Sequence, residues 1–321
     1  MAYPLHSEFP PIYTTTYGQA YCCDSATFLK TLPSESIDLI VTSPPFALIK
    51  KKSYGNESTA QYVDWFINNF AEELMRVLKP EGSLVIDIGG TWNKGAPTRS
   101  LYHFQLLIRL CEDIGFHLAQ EFYWYNPAKM PSPAQWVTIE RIRVKDAVNV
   151  VWWLSKSERP KANNKRILTP YKKSMKQLLK SGYNDGPRPS GHNVSKKWGI
   201  DNGGAIPPNL LNYHDVDLSL VDNLLEIANT RSSDRYLSAC RTLGVKAHPA
   251  RFPRQLPQFF IEFLTDPGDL VYDPFGGSCV TGEVAEELER RWITSEIDPS
   301  YVLSSKYRFF DLESSPEDEE D

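Results

Sequence analysis

Residues 270–298 read LVYDPFGGSCVTGEVAEELERRWITSEID. A short apolar stretch, Leu270-Val271-Tyr272, runs into a proline and a glycine pair. A helix is expected over 280–290, and a second apolar stretch, 292–296, ends in Glu296. Strand, turn, helix and strand in this order form the unit from which parallel sheets are built, because two parallel strands need a crossover between them. A glycine pair at the first turn lets a ligand touch bare backbone, and an acid at the end of the next strand can accept from ribose hydroxyls. Taken alone, such a turn is only a tight turn. With Ser295-Glu296-Ile297-Asp298 following at this distance, it favours an adenosine-containing ligand. The spacing GGSCVTG is not the GxGxxG of dinucleotide-binding folds, which disfavours a nicotinamide-dependent oxidoreductase.

Outward from this unit the chain alternates in the same way. Strands are expected at 18–23, 37–42, 83–88, 117–125, 146–155, 270–272 and 292–296, and helices at 25–31, 60–78, 101–114, 253–264, 280–290 and 299–310. The helix over 60–78 should stop at Lys79-Pro80-Glu81-Gly82. Unbroken apolar strands between helices predict an α/β fold with a doubly wound, mostly parallel sheet covered on both faces. Between 157 and 240 the periodicity dissolves into text such as GPRPSGHN and DNGGAIPPNLL, read as a smaller inserted region.

Composition is that of a soluble globular protein, 41% hydrophobic and 23% charged over 321 residues. No apolar run is long enough for a membrane helix, and MAYPLHSEFPP lacks the apolar centre of a signal peptide. Five cysteines (22, 23, 111, 240 and 279) contain no CxxC pair, which points to a reducing, cytoplasmic setting without disulfides or zinc; no metal is expected. The net charge of −5 is unevenly placed. The tail 311–321 takes seven of the 40 acids, leaving 33 against 35 bases, a balance of +2. Residues 156–198 hold twelve Lys and Arg against Glu158 and Asp185, a local +10, interleaved with Tyr171, Tyr183, His192 and Trp198. Such a stretch is either a solvated face or a phosphate-tracking surface, and the interleaved rings favour the second.

A further motif ends the strand IDLIV: Thr42-Ser43-Pro44-Pro45-Phe46. Neither proline has an N–H for a ladder, and the residue before each is pushed away from the helical region. The chain is therefore held stiff and extended just beyond a buried strand. In isolation this is a Pro-Pro turn with a core phenylalanine; beside the glycine unit it reads as a site.

Together, SPPF, DPFGGSCVTGEVAEELERRWITSEIDPSYV and KAHPARFP, with KKKSYGN, YVDWF, RPSGH and DNGGAIPPNLL between them, resemble the amino-methylating DNA methyltransferases of type II restriction systems. The order, SPPF first and the glycine unit near the C-terminus, is similar to their circularly permuted β group, of the cytosine-N4 type. The resemblance implies the S-adenosyl-L-methionine-dependent methyltransferase fold, with 1–156 as the catalytic part, 157–240 as target-recognition region, 241–310 as the cofactor-binding part and 311–321 as a disordered acidic tail. It implies catalytic roles for Ser43, Pro44, Pro45 and Phe46. S-adenosyl-L-methionine would be held by Asp24, Ser25, Asp273, Phe275, Gly276, Gly277, Ser278 and Glu296, with His248 and Pro249 flanking its carboxylate end. The implied partner is double-stranded DNA carrying a six-base palindrome such as CAGCTG, shared with a cognate restriction endonuclease that need not be contacted directly; the chain could act as a monomer.

In that setting Ser43 and the Pro44 carbonyl are two acceptors for the N–H bonds of an exocyclic amine, and Phe46 is a face for a flipped-out base. None of the five cysteines follows a proline, so the Pro-Cys nucleophile of carbon-5 methylation is absent. SPPF usually accompanies cytosine N4 and DPPY adenine N6; adenine N6, or a catalytically inactive DNA-binding protein of the same fold, stays open at this point. DNA contacts are expected from Lys50, Lys51 and Lys52 after the catalytic motif, and from Arg188, His192, Asn193, Lys196 and Lys197 in the insert. Duplex binding should therefore weaken steeply with salt despite the acidic net charge; a flat dependence in fluorescence anisotropy titrations would assign 156–198 to a solvated face.

Overall fold

The computed structural model describes residues 9–47, 57–126, 129–182, 186–187, 189–191, 193–194, 199–211, 235–251 and 253–310. Its strands are β1 (Tyr13–Thr14), β2 (Gly18–Cys22), β3 (Ile37–Thr42), β4 (Leu78–Ile88), β5 (His117–Tyr125), β6 (Val148–Ser155), β7 (Gly186–Pro187), β8 (Asn193–Val194), β9 (Leu210–Leu211), β10 (Leu270–Asp273) and β11 (Arg291–Glu296). The α-helices are α1 (Ser25–Thr31), α2 (Tyr62–Phe66), α3 (Glu72–Val77), α4 (Tyr102–Glu112), α5 (Lys173–Ser181), α6 (Arg235–Thr242), α7 (Gln255–Leu264), α8 (Val280–Glu287) and α9 (Pro299–Ser305).

Nine strands form one sheet in the order β1-β2-β11-β10-β3-β4-β6-β5-β9. The run from β2 to β4 is parallel throughout, while β6 pairs antiparallel with both β4 and β5. From β10 the chain crosses to β11 on one side, and from β3 to β4 on the other. Crossovers that leave in opposite directions open a crevice at the carboxyl ends of the two strands between them. The loops after β3 and β10 are the SPPF and glycine motifs, so this topology brings the two motifs together.

Both faces are covered, as the apolar strands require. On one face Phe28, Phe66, Leu74, Leu106 and Trp152 belong to a single buried cluster with Ile40 and Ile86. On the other, Phe259, Phe260 and Phe263 of α7 meet Phe122 and Trp153 edge-on. Trp152 and Trp153 point to opposite faces because side chains alternate along β6. A buried carboxylate fastens the centre: Asp38 in β3 accepts from the Leu270 amide at 2.9 Å and from Lys79 at 2.7 Å.

Four features depart from the sequence expectation. The helix over 60–78 is broken by a π-helical turn, Ile67–Ala71. Lys79-Pro80-Glu81-Gly82 ends the helix but lies inside β4, accommodated by a register shift against β3 between Ile37 and Leu39. The short edge strands β1 and β9 carry no sequence signal. Finally, the chain divides into two compact units, one of them residues 162–208, narrower than the 157–240 expected. Helix α6 belongs to the larger unit, where buried Tyr236 receives the His248 amide at 2.8 Å.

The smaller unit contains a 3₁₀ turn at Asn164–Ile167, α5, which has no fully buried residue, the β7–β8 hairpin and a bridge pairing Thr169 with Ala205. It carries nine Lys and Arg against Asp185 and Asp201. No described helix is long and apolar enough to cross a membrane.

Replacing Asp38 by Ala would leave the Leu270 amide and the Lys79 ammonium without their acceptor at the centre of the parallel sheet. The expected loss is about 2 kcal/mol, read as a lowered urea midpoint followed by circular dichroism.

Candidate functional site

A cavity of about 560 Å³ opens at the carboxyl ends of β10, β11, β3 and β4, within the size range of small-molecule sites. One wall is the glycine turn. A Cβ on Gly276 would lie 1.8 Å from Thr294 Oγ1, so only glycine lets this loop sit against β11. Gly277 has φ +50° and donates its amide to Glu296 Oε2 at 2.8 Å. The other oxygen of Glu296 accepts from the Asp298 amide at 3.0 Å, and burial raises its pKa. Glu296 thus presents a carboxylate to the cavity from a position fixed by two backbone amides. Ser278 is held from below by buried Arg308, which donates to its carbonyl and, at 3.2 Å, to its hydroxyl, and which also pairs with Glu283 at 2.9 Å.

Asp24, Ser25, Phe275, Gly276, Gly277, Ser278, Glu296 and His248 all line the cavity. Asp24 also caps α1 through the Thr27 amide at 2.9 Å. The Ser25 hydroxyl is committed to the Pro274 carbonyl and to Ser295, which fixes the β2–α1 turn against the glycine loop. Burial lowers the His248 pKa to about 4, so the ring is neutral; its Nδ1 accepts from the Ala250 amide at 3.3 Å, which places the proton on Nε2. Two expected residues do not line it. Pro249 is absent from the wall, and Asp273 lies beneath it, its carboxylate accepting from Thr42 and Thr281 hydroxyls at 2.8 Å each and from the Phe275 amide.

The opposite wall is the SPPF motif, all four residues of which line the cavity. Phe46 packs against the chain just after β4: a Cβ on Gly89 would come within 2.6 Å of its ring. Ser43 Oγ donates to Asp87 Oδ2 at 3.1 Å. Asp87 is buried at the end of β4, and desolvation raises its pKa to about 6 against the opposing effect of Ser43, Lys129 and Asn149. Asn149 in β6 donates to Asp87 Oδ1 at 3.3 Å, and Lys129 donates to Asn149 Oδ1 at 2.5 Å. The aromatic rim is completed by Trp65 and Phe70, with Phe70 5.1 Å from Phe275. Residues five apart share a face in a π-helical turn, so the irregularity at Ile67–Ala71 lets both rings reach the cavity.

The family model described as DNA methylase matches residues 37–306, from β3 to just past α9. The chain belongs to the DNA methylase family. The type II methyltransferase M.PvuII of Proteus hauseri is 50% identical over 310 residues, covering 96% of this chain and 88% of its own. A solved structure described as PvuII DNA methyltransferase, cytosine-N4-specific, matches at TM-score 0.76 and 45% identity over 98% of this chain and 93% of its own. A protein described as a putative DNA modification methylase from Thermus thermophilus, solved as a complex with S-adenosyl-L-methionine, shares the fold at TM-score 0.54 and 18% identity, over 92% of this chain and 93% of its own.

In this methylase the two motifs meet at one cavity; Asp87 and Asn149 also line it, and Lys129 stands behind them, hydrogen-bonded to Asn149. Asp87 stood in the open as the one acid of the buried strand SLVIDI, and Asn149 as the one polar residue of VNVVWWL. Lys129 has no local signal. Of the expected DNA contacts, Lys50, Lys51, Lys52, Arg188, His192, Lys196 and Lys197 lie outside the described residues, and Asn193 is described only as backbone in β8. Gly276→Ala should drive Thr294 away from the loop and abolish S-adenosyl-L-methionine binding measurable by calorimetry, with circular dichroism still native.

Proposed function

We propose that this chain is a site-specific DNA methyltransferase that transfers a methyl group from S-adenosyl-L-methionine to the exocyclic N4 amine of a cytosine turned out of duplex DNA. It works in the cytoplasm, at a palindrome such as CAGCTG, and protects that site from a companion restriction endonuclease. The observation that carries this reading is the hydrogen bond from Ser43 to Asp87 beside the glycine cradle.

The residues fit the cofactor. A turn that admits no Cβ at Gly276 leaves bare backbone for the methionine portion, and the fixed carboxylate of Glu296 suits a ribose diol. Asp24 stands on the adenine side, and neutral His248 offers Nε2–H toward the carboxylate end. When bound, the cofactor supplies an already activated methyl group, so the protein's task is alignment.

The target amine has its lone pair delocalised into the ring and is a poor nucleophile. Because the Ser43 proton is given to Asp87, the hydroxyl oxygen keeps its lone pairs for an incoming N–H. The Pro44 carbonyl, held by Pro45, is the second acceptor. Two acceptors in line with the N–H bonds draw the lone pair out of conjugation as the N–C bond forms. The excess proton on N4 then passes to the Ser43 oxygen while the Ser43 proton moves to Asp87, leaving a neutral methylated amine and a protonated Asp87. Phe46 stacks on the extruded base and offsets part of the few kcal/mol that flipping costs. No cysteine lines the cavity among the described residues, so the route needs no covalent adduct.

Ser43→Ala should slow single-turnover methyl transfer about a hundredfold while sparing cofactor affinity, the loss expected for one transition-state acceptor. The product in DNA from expressing cells should be N4-methylcytosine; N6-methyladenine alone by mass spectrometry would overturn the base assignment. The rate should also fall on the acid side with a midpoint near 6, because Asp87 must be ionised to hold the Ser43 proton. Asp87→Asn should remove that limb along with most of the rate.

A further inference from the structure

The hydrogen-bonded chain Ser43–Asp87–Asn149–Lys129 contains one residue, Lys129, that does not line the cavity. Its neighbours in the chain have fixed hydrogen-bonding character. An ammonium has three donors and no acceptor, and an ionised carboxylate accepts only. An asparagine between them has a single workable orientation: oxygen toward Lys129, NH2 toward Asp87. The observed distances, 2.5 Å and 3.3 Å, follow that orientation. Asn149 and Asp87 are only 6% and 3% exposed, so most of each side chain is shielded from bulk solvent.

We propose that Lys129 is a positioning residue for methyl transfer: its ammonium locks the Asn149 amide in the orientation that donates to Asp87, and its charge balances that carboxylate where it receives the Ser43 proton. This rests on the reading of Ser43 and Asp87 given above. The sheet explains why the group is assembled from three separate segments. Asp87 and Asn149 sit on the adjacent antiparallel strands β4 and β6, where Ile88 opposes Val150. Lys129 follows β5, in a loop anchored by the Asn126 amide to the Ala147 carbonyl at 2.7 Å and by its own amide to the Asn126 carbonyl at 3.2 Å.

The other charges around the group leave this role to Lys129. Tyr102 on α4 faces Asp87 and feels its charge, but burial and the carboxylate keep the phenol protonated. Arg99 also faces Lys129 and is paired with Asp146 at 2.8 Å, while Asp146 is shared with Arg143 at 3.1 Å. Burial lowers the Lys129 pKa and the charge of Asp87 opposes that shift; Lys129 in turn lowers the pKa of Asp87. The two groups are therefore mutually stabilised as an ion pair bridged by an amide.

The test separates this role from a merely structural one by titrating Asp87 directly. In protein labelled with ¹³C at aspartate carboxyls, the resonance missing from Asp87→Asn identifies Asp87 without any turnover. Lys129→Met should move its titration midpoint up by about one pH unit, as expected for loss of a nearby opposite charge. The acid limb of the single-turnover rate should move with it, and the rate should fall roughly tenfold or more at neutral pH. Cofactor affinity should hold, and Lys129→Arg should restore much of both. If Lys129→Met does not fold, Lys129→Gln replaces it, with the same shift expected. A folded Lys129→Met or Lys129→Gln protein with an unchanged Asp87 midpoint overturns the proposal. Full methylation by Asp87→Asn would instead overturn the roles given to Ser43 and Asp87, a result distinct from the Lys129 titration.

Discussion

The parallel pairing of β3 with β10, through Leu39–Val271 and Ile40–Tyr272, is the contact on which the site depends. At the carboxyl end of this pair, the Thr42 hydroxyl donates to Asp273 across a sequence separation of 231 residues. Every residue that follows in either strand inherits its position from this junction: SPPF on one side, the glycine turn on the other. Since the crossovers leave the two strands in opposite directions, a crevice opens between their ends. A cavity there is a consequence of topology, and the side chains decide only what it holds.

Two buried aspartates show how the same physics serves different ends. Burial raises both Asp87 and Asp273 to about 6. Asp273 spends its acceptor capacity on two threonine hydroxyls and a backbone amide, all belonging to the elements it joins. That makes it a fastener, and it does not reach the cavity wall. Asp87 accepts from one hydroxyl and one amide, and both Ser43 and Asn149 stand on the wall themselves. A carboxylate near its own pKa, touching a hydroxyl that faces a ligand, can take up a proton. Strength of burial does not separate the two; the destination of their hydrogen bonds does.

What was legible in the sequence was whatever local chemistry dictates. Prolines that cannot join a ladder, glycines that admit backbone contact and strands without polar interruption marked SPPF, the DPFGG turn and the parallel core. The unread parts depend on contacts between distant segments. Lys129 is one lysine among many until β5 and β6 bring its loop over Asn149. The π-helical turn is invisible because apolar spacing in YVDWFINNFAEEL suits a helix of either pitch, and only the cavity requires Trp65 and Phe70 on one side. The expected insert runs to 240, whereas α6, with buried Tyr236 and Cys240, belongs to the larger unit, a placement set by tertiary contacts that the local sequence does not carry.

The neutrality of Ser43 has a physical logic within this arrangement. A carboxylate in its place would be an acceptor without help, and would carry its charge directly against the incoming base. A serine hydroxyl is ambivalent, as able to donate as to accept, and would be a poor choice unless its proton were claimed elsewhere. Asp87 claims it, from a buried position at the end of β4 and oriented by Asn149. In the proposed reaction the charge is kept one hydrogen bond away from the base, while its effect, an oxygen with lone pairs turned outward, is delivered at the cavity wall. That division needs a second buried group to hold the carboxylate in place and a third to balance it, so a single hydroxyl in the motif entails polar residues from β4, β6 and the loop after β5.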